Sequence, residues 1–284
     1  GHLFLKVPGD HAAGISSNRL LTWNIIYCSI KGLDQPKRRR LYMKAVLSFF
    51  DLTGAMVEPW IKDGYQCFIF DVQHPNISIP DQLEAGANPV KVSGDYQEWN
   101  LTVGRLVQDW KVEMIFSFPP CTDLAVSGAS HFAKKLMVDP LYRQKAMDMV
   151  YFAGNIAYGY DIPCMVENPV SVISSEWRKP DYMFHPYEYG GYLPEDDVSP
   201  FDLIPSRDAY TKKTCLWIRN GHDVDFNMPR KRIVNLPEGY KYSPQHLKLG
   251  GKSLKTKNIR SATPRGFAHA IWDANRDNFN TAPI

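Results

Sequence analysis

Short apolar runs alternate with longer stretches of helical periodicity from residue 43 onward. Apolar runs of this length, bounded by polar, Gly or Pro residues, are typical of strands in a parallel sheet. They predict strands over residues 45–50, 66–71, 112–118, 164–166 and 213–218. Apolar residues at helical spacing predict helices over residues 57–63, 141–160 and 263–275. Pro59 and Pro264 are compatible with two of these helices because each stands in a first turn, where proline removes no hydrogen bond.

The order of these elements predicts the fold class. Strands joined through helices form βαβ units, so we expect an α/β fold with a Rossmann-like, mostly parallel sheet and helices on both faces. The Pro-rich stretch over residues 179–205 predicts an irregular loop. The expected parts are an N-terminal extension without an assigned role, an α/β domain, a small irregular basic segment and a C-terminal helix that completes the domain, over residues 1–42, 43–225, 226–260 and 261–284.

Charge is concentrated in one part of the chain. The net charge of +3 indicates little as a total. Residues 226–260, however, hold nine Lys or Arg residues and one acid, Glu238. Such a segment can face a polyanion, and it is equally compatible with a solvated loop.

Cysteine spacing and the lack of long apolar stretches narrow the class of protein. Five cysteines without close spacing do not form a disulfide framework or a Cys-x-x-Cys metal site, so we expect free thiols and no metal. Cys67, Cys164 and Cys215 stand in apolar runs and are expected in the core.

No stretch approaches the roughly 20 apolar residues of a membrane span, and the start does not resemble a secretion signal. We therefore expect a soluble, cytoplasmic protein.

Polar residues stand where the first predicted strands end, and ligands of open parallel sheets bind beyond those ends. Asp51 and Gly54 follow the first strand, where a turn through glycine brings backbone N–H groups close to a ligand. Asp71 ends the second strand, a common place for an acid that binds ribose hydroxyls. Asp95 follows another glycine. Ordinary turns and solvent-facing acids are the alternative interpretation of these residues.

Cys121 follows a predicted strand and two prolines, Pro119 and Pro120. The prolines stop ladder pairing and fix the backbone, so Cys121 stands on a rigid loop, where a thiolate can act as a nucleophile. Glu167 and Asn168 end the next strand. A buried acid at that place can be held protonated and act as a proton donor. The asparagine can either fix the loop or bind a substrate.

These motifs resemble those of the S-adenosylmethionine-dependent cytosine-C5 DNA methyltransferases. The shared order is a strand with Asp-x-x-Gly, then Pro-Pro-Cys, then Glu-Asn. Small phage-borne members of this superfamily carry Pro-Pro-Cys-Thr, Glu-Asn-Pro followed by Ser-Ser, and Thr-Cys-Leu-Trp, which are similar to residues 118–129, 166–172 and 213–218. The resemblance spans residues 44–217, and weakly the last helix.

The resemblance implies catalytic roles for Cys121, Glu167 and Asn168 within residues 43–225. Cys121 would add to C6 of a cytosine, and Glu167 would share a proton with N3. C5 would then take the methyl group of S-adenosylmethionine, an activated donor that requires no metal. The residues implied in cofactor binding are Phe50, Asp51, Gly54, Asp71, Asp95 and Pro119.

The resemblance also implies DNA as the partner, in the cytoplasm of a bacterium or of a phage-infected host. The target cytosine would leave the duplex by base flipping, because C5 and C6 chemistry cannot occur inside the stack. Residues 226–260 would be the DNA-recognition segment. The residues implied in substrate or DNA binding are Lys213, Arg219, Arg230, Arg232, Lys252, Lys255 and Lys257.

The chain departs from the family pattern in several places. Thr122 stands where the family usually has Gln. Lys212-Lys213-Thr214 to Arg219 is the nearest match to a strand that usually carries base-contacting arginines, and residues 261–264 match the closing motif weakly.

Two alternatives stay open, and the short recognition segment supports the first of them. One is the same chemistry on a free pyrimidine nucleotide, or the transfer of a different group to C5. The other is a non-catalytic descendant that binds DNA or a protein. Cys121 and Glu167 argue against the second alternative, since binding alone requires neither.

Overall fold

The computed structural model describes residues 43–200, 203–240 and 254–276, with the side chains of residues 254–257 outside that description. The predicted N-terminal extension over residues 1–42 therefore lies outside the described residues, as do Cys28 and Lys252. The side chains of Lys255 and Lys257 lie outside them too. These three lysines stay predicted DNA contacts.

Within the described ranges, seven strands pair into one sheet. They are β1 (Lys44–Phe49), β2 (Gln66–Phe70), β3 (Val90–Val92), β4 (Lys111–Ser117), β5 (Cys164–Pro169), β6 (Tyr182–Phe184) and β7 (Thr214–Arg219). The strand order across the sheet is β3-β2-β1-β4-β5-β7-β6. β1 to β5 pair in parallel, and β7 runs antiparallel to both of its neighbours. The predicted Rossmann-like, mostly parallel sheet is confirmed.

Helices cover both faces of this sheet. On one face, Leu47 of β1 packs in a cluster with Val103 and Val150. On the other face, Val46 of β1 packs in a cluster with Phe267. The described helices are α1 (Glu58–Lys62), α2 (Ile79–Glu84), α3 (Trp99–Asp109), α4 (Phe132–Val138), α5 (Tyr142–Tyr160), α6 (Ile173–Glu176), α7 (Leu254–Ser261) and α8 (Arg265–Asn275). A sheet covered on both faces requires apolar residues at consecutive strand positions, which is why its strands are apolar runs. No helix in the described part of the chain is long and apolar enough to cross a membrane.

All five predicted strands and all three predicted helices are present, with ends that differ by up to three residues. β3 and β6 were not predicted because three residues are too few to show a periodicity. β6 lies within residues 179–205, which we expected to be irregular, and it forms by pairing with the distant β7. All but the last residue of α7 lie within residues 226–260, which we also expected to be irregular; the helix sequence contains no Gly or Pro.

The strand order reverses between β1 and β4. The chain adds β2 and β3 on one side of this pair and β5 on the other, so a crevice opens at the carboxyl ends of β1 and β4. Phe49 of β1 pairs with Ser117 of β4 at this edge. The segments that follow β1, β4 and β5 therefore meet where ligands of such sheets bind.

Candidate active site

The turn after β1 is organised by a buried carboxylate. Asp51 Oδ1 accepts hydrogen bonds from the backbone N–H groups of Gly54 (2.8 Å) and Thr53 (3.2 Å), and Oδ2 accepts one from the Ser48 hydroxyl (2.8 Å). Burial raises the pKa of the Asp51 carboxyl, and the bond from Ser48 opposes that rise. Phe50 has a left-handed backbone (φ 56°), which is strained for an aromatic residue. Asp51 thus fixes the shape of the turn at Gly54.

Asp71 and Asp95 stand at the same edge, after β2 and β3. Oδ1 of Asp71 accepts a hydrogen bond from the N–H of Gln73 (2.8 Å), and Oδ1 of Asp95 accepts one from the N–H of Gln97 (3.0 Å). Asp71 is half-buried and Asp95 is exposed. Within the described residues, neither Oδ2 has a hydrogen-bond partner, so each carboxylate retains an acceptor for a ligand.

An aromatic wall stands between these acids and the core. The ring of Phe50 packs against Tyr96 (centroids 6.2 Å apart), Trp99 (5.3 Å) and Phe152 (6.3 Å). Phe50 and Tyr96 are only half-buried. They therefore offer apolar surface beside Asp95, as a flat heterocycle requires.

The loop after β4 is tied to the end of β5. The Asn168 side-chain amide donates a buried 2.8 Å hydrogen bond to the carbonyl oxygen of Pro119. Of the two roles left open for Asn168, this bond is the one that fixes the loop. Cys121 begins a short 3-10 turn, and its carbonyl accepts bonds from the N–H groups of Leu124 and Ala125. The Cys121 side chain is exposed.

Cys121 and Glu167 share one electrostatic environment with Lys212. Although Cys121 as a residue is exposed, protein atoms around its sulfur desolvate the thiol, and this desolvation raises the pKa of the thiol. Lys212 lowers that pKa and Glu167 raises it further. Burial also raises the pKa of the Glu167 carboxyl, and Lys212 opposes that shift. The half-buried Lys212 donates a 3.1 Å hydrogen bond to the carbonyl of Arg260, whose charge lowers the pKa of Cys121 as well.

The sequence predicted Lys213 as the lysine of the substrate site, whereas in the structure it is the charge of Lys212 that acts on Cys121 and Glu167. The charge of Lys213 acts on Cys215 and His185 instead. The strand register explains the difference: Glu167 pairs with Leu216, and residues directly opposite in a sheet point to the same face. Lys212 and Lys213 precede β7, which begins at Thr214; if its alternation is continued two residues back, Lys212 falls on the face of Leu216 and Lys213 on the other.

Four buried polar atoms near this edge have no hydrogen-bond partner within the described residues. They are Ser117 Oγ, Glu167 Oε1, Asn168 Oδ1 and Ser171 Oγ. A buried polar atom without a partner costs about 1–3 kcal/mol, so native proteins rarely leave several together. A polar ligand or a bound water at the end of β5 would supply the hydrogen bonds that these four atoms lack.

A cavity of about 460 Å³ adjoins the turn after β1. Thr53 and Gly54 form part of its wall, and Thr263 and Arg265, at the start of α8, form another part. Residues 262–264, which belong to the weak match to the family's closing motif, thus face the glycine turn across an open space.

Arg219 is not brought to this site. It pairs with Cys164 at the opposite end of β5 from Glu167. Its guanidinium donates to the carbonyls of Ile162 and Asn220. Three residues of strand, about 10 Å, separate Cys164 from Glu167, so Arg219 belongs to the other edge of the sheet.

The three basic residues at positions 230–232 differ in their contacts with other side chains. Lys231 forms an ion pair with Glu188 (2.7 Å). Arg232 lies 3.8 Å from the Asp273 carboxylate and stacks over the Tyr192 ring. Arg230 is exposed, and among its contacts with described residues only its carbonyl is engaged, by the Tyr192 hydroxyl. Arg230 is therefore the most available of the three for a phosphate.

Three of the four described cysteines lie in the core. Cys67, Cys164 and Cys215 are buried free thiols, as expected. In the part of the chain that the structure describes, no three His, Cys, Asp or Glu residues are grouped so as to hold a metal ion.

Comparison with known proteins adds little to this geometry. No family model matches the chain, and no curated protein matches it. Among solved structures, the chain is similar to a candidate DNA modification methyltransferase encoded within a prophage of E. coli. The identity is 11% and the TM-score 0.43, over 67% of this chain and 52% of that one. The matched part thus spans about half of that protein, and a likeness at this level carries no statement about activity.

Proposed function

We propose that this protein transfers a methyl group from S-adenosylmethionine to C5 of cytosine in DNA, with Cys121 as the nucleophile. One observation carries the proposal. An exposed thiol on a loop anchored by Asn168, a buried carboxyl at Glu167 and the ammonium group of Lys212 converge at the ligand edge of a Rossmann-like sheet.

Glu167 suits the role of a proton donor. Because burial raises its pKa, its carboxyl retains a proton at a pH where an exposed glutamate has lost it. A hydrogen bond from this carboxyl to N3 of cytosine would withdraw electrons from the ring and make C6 electrophilic. Oε1 of Glu167, which has no hydrogen-bond partner among the residues that the structure describes, fits this contact.

The thiolate of Cys121 would donate an electron pair to C6, while N3 takes the proton of Glu167. The charge of Lys212 would stabilise the Cys121 thiolate and would also interact with the carbonyl oxygen of the base, a role that an arginine has in the family. S-adenosylmethionine, when bound, supplies the methyl group for C5. A water molecule would take the C5 proton, and the electron pair of that C–H bond would re-form the C5–C6 double bond and expel the Cys121 thiolate. The N3 proton would then return to Glu167.

Several described residues fit the cofactor. The free acceptor oxygens of Asp71 and Asp95 suit ribose hydroxyls and an amino group, and Phe50 offers an aromatic surface. The glycine turn and the cavity beside Thr263 suit the amino-acid end. Asp51 would act indirectly, since its carboxylate holds the turn, and Pro119 would form a wall.

Basic side chains are proposed to bind the phosphates of a duplex from which the cytosine is flipped. They are Lys213, Arg230, Arg232, Lys252, Lys255 and Lys257. A free pyrimidine nucleotide is the second candidate substrate. Two ion pairs favour this substrate, Lys231 with Glu188 and Arg232 with Asp273. They engage two cations of the basic segment that would otherwise be available for the phosphates of DNA.

The test is a covalent trap. Duplex DNA is amplified with 5-fluorocytosine in place of every cytosine, so that the target sequence need not be known. Fluorine at C5 leaves no proton to lose, so with S-adenosylmethionine the Cys121–C6 thioether should survive denaturation, and the modified peptide should contain Cys121. Cys121→Ser should give no adduct, and Cys67→Ala, a change at a buried thiol, should still give one.

The outcomes separate the candidates. An adduct on 5-fluorocytidine nucleotides and none on DNA would establish the nucleotide-level reaction. The absence of any adduct on either substrate would refute the proposed chemistry.

A further inference from the structure

The cavity between the turn after β1 and the start of α8 contains a buried carboxylate, that of Asp208. Asp208 lines the cavity and is 2% exposed. Its Oδ2 accepts a 2.8 Å hydrogen bond from the backbone N–H of Gly266, in the first turn of α8. Burial raises the pKa of this carboxyl to about 6, so at neutral pH it is mostly ionised although it is buried. A buried negative charge is costly unless a cation lies beside it.

The other charged side chains that line this cavity are already paired. Arg265 donates two hydrogen bonds to Asp197, at 2.6 and 2.7 Å, and Lys62 lies 2.6 Å from Glu58. The guanidinium of Arg265 is thus engaged by Asp197. Asp208 itself forms no ion pair with any residue that the structure describes, and its hydrogen bond comes from a neutral backbone N–H. The cavity therefore has a negative charge that its own walls do not balance.

The backbone that carries Asp208 is held in a strained conformation. Arg207 and Asp208 are both left-handed, with φ of 53° and 48°, which is unfavourable for residues other than glycine. Asp197 stabilises this turn, because its Oδ2 accepts from the N–H of Arg207 (2.7 Å) and its carbonyl from the hydroxyl of Ser206 (2.7 Å). Strain of this kind is concentrated at ligand sites. Here it accompanies the placement of a buried acid in a cavity wall.

The walls of the cavity indicate the chemical class of its ligand. The volume of about 460 Å³ is sufficient for a small organic group, and Ile61, Pro89 and Ile204 offer apolar contacts for its carbon chain. A guanidinium ligand prefers both oxygens of a carboxylate. Since Oδ2 of Asp208 already accepts from Gly266, an ammonium group, which donates from one point, fits better. The cavity therefore suits a short carbon chain that ends in an ammonium group.

We propose that Asp208 binds the α-ammonium group of the methionine portion of S-adenosylmethionine. This inference rests on the proposed function and assigns a residue to the amino-acid end of its cofactor. Gly54 and Thr263, which we placed at that end, line the same cavity. An ion pair formed in this cavity would be screened less by water than one at the surface. No sequence motif indicated Asp208, which lies between β6 and β7.

The experiment compares two ligands by calorimetry on the full-length chain at about pH 7.5. One is S-adenosylhomocysteine, the demethylated product, and the other is its analogue with hydrogen in place of the α-amino group. The wild-type protein should bind the analogue about tenfold more weakly. Asp208→Asn retains an oxygen for the N–H of Gly266. It should weaken the binding of S-adenosylhomocysteine about tenfold and that of the analogue by no more than about twofold. The matched control is Asp196→Asn, at an exposed acid of the neighbouring loop, which should change neither affinity.

A second measurement does not depend on the folding of Asp208→Asn. As the pH falls from about 7.5 to about 5.5, Asp208 takes up a proton and loses the charge that binds the ammonium group. The affinity of the wild-type protein for S-adenosylhomocysteine should therefore fall about threefold, and that for the analogue should not.

Other charged or titratable groups near Asp208 come from α1, α8 and the loop before β7: Glu58, Lys62, Asp197, Arg265 and His269. The hydrogen bonds between Asp197 and Arg265 lower the pKa of Asp197 and raise that of Arg265, so this pair stays charged over the range. Burial lowers the pKa of His269. The fall in affinity should persist in His269→Gln, which removes the titrating imidazole of α8.

Each result has a defined meaning. If neither ligand gives heat with the wild-type protein, the cofactor assignment fails, and the proposed function fails with it. If the wild-type protein binds S-adenosylhomocysteine and the analogue equally well, or if Asp208→Asn weakens both equally, the assignment of Asp208 is wrong while the cofactor assignment stands. A pH dependence that disappears in His269→Gln would overturn the assignment of Asp208 as well.

Discussion

The side chain of Asn168 and the carbonyl of Pro119 are joined by a buried 2.8 Å hydrogen bond. Asn168 lies one position after Glu167 on β5, and Pro119 lies two positions before Cys121. The bond therefore sets the distance between the proposed proton donor and the proposed nucleophile, which come from different strands. Positioning of this kind contributes to rate because reacting groups must meet in one geometry.

Replacing this donor should slow the reaction more than it harms the cofactor site. Asn168→Asp keeps the shape of the side chain and removes its N–H donor, which leaves the Pro119 carbonyl without its buried partner at a cost of about 1–3 kcal/mol. We expect adduct formation at Cys121 to fall about 10–100-fold, with the affinity for S-adenosylmethionine nearly unchanged. Single-turnover kinetics and calorimetry measure the two quantities, and an unchanged rate would mean that the loop needs no anchor.

Removing the charge of Lys212 should change how the Cys121 thiol titrates. Lys212 lowers the pKa of Cys121 against the rise caused by burial. In Lys212→Met the thiol pKa should therefore be higher, and the rate of alkylation by iodoacetamide should rise only at more alkaline pH. Lys213→Met is the matched control, since the charge of Lys213 acts on Cys215 and His185. Equal profiles for both variants would remove Lys212 from the site.

Lys212 also illustrates how far the sequence predicts this site. Cys121, Glu167 and Asn168 were predictable because each stands at or just beyond the carboxyl end of a strand, and parallel strands bring these ends to one edge. Choosing between Lys212 and Lys213, and excluding Arg219, requires the register of β7 on β5. That register is set by pairing between segments more than 40 residues apart, so local periodicity does not contain it. The same reason explains β6, whose three residues become a strand only beside β7.

The cofactor site is tested by Asp71. If its free carboxylate oxygen binds ribose hydroxyls, S-adenosylmethionine or its demethylated product should bind with micromolar affinity, about −8 kcal/mol. Asp71→Ala should weaken that affinity about tenfold through the loss of charge-assisted hydrogen bonds. Isothermal calorimetry measures both values, with Asp148→Ala on α5 as a control for the change in net charge. No heat with either ligand would contradict the cofactor assignment.

The contact with DNA is tested by salt. Each phosphate neutralised by the protein contributes about 0.9 to the slope of log affinity against log salt concentration. Replacing Lys252, Lys255 and Lys257 together by alanine should therefore lower the slope by about 2–3 if all three contact phosphates. Among the described cations, Arg230→Ala should lower the slope more than Lys231→Ala, because Glu188 already neutralises Lys231 at 2.7 Å. Fluorescence anisotropy with a labelled duplex between low and physiological salt measures these slopes. A slope that none of these changes affects would place the phosphates elsewhere, and a duplex that does not bind at all would favour the free nucleotide as the substrate of Cys121.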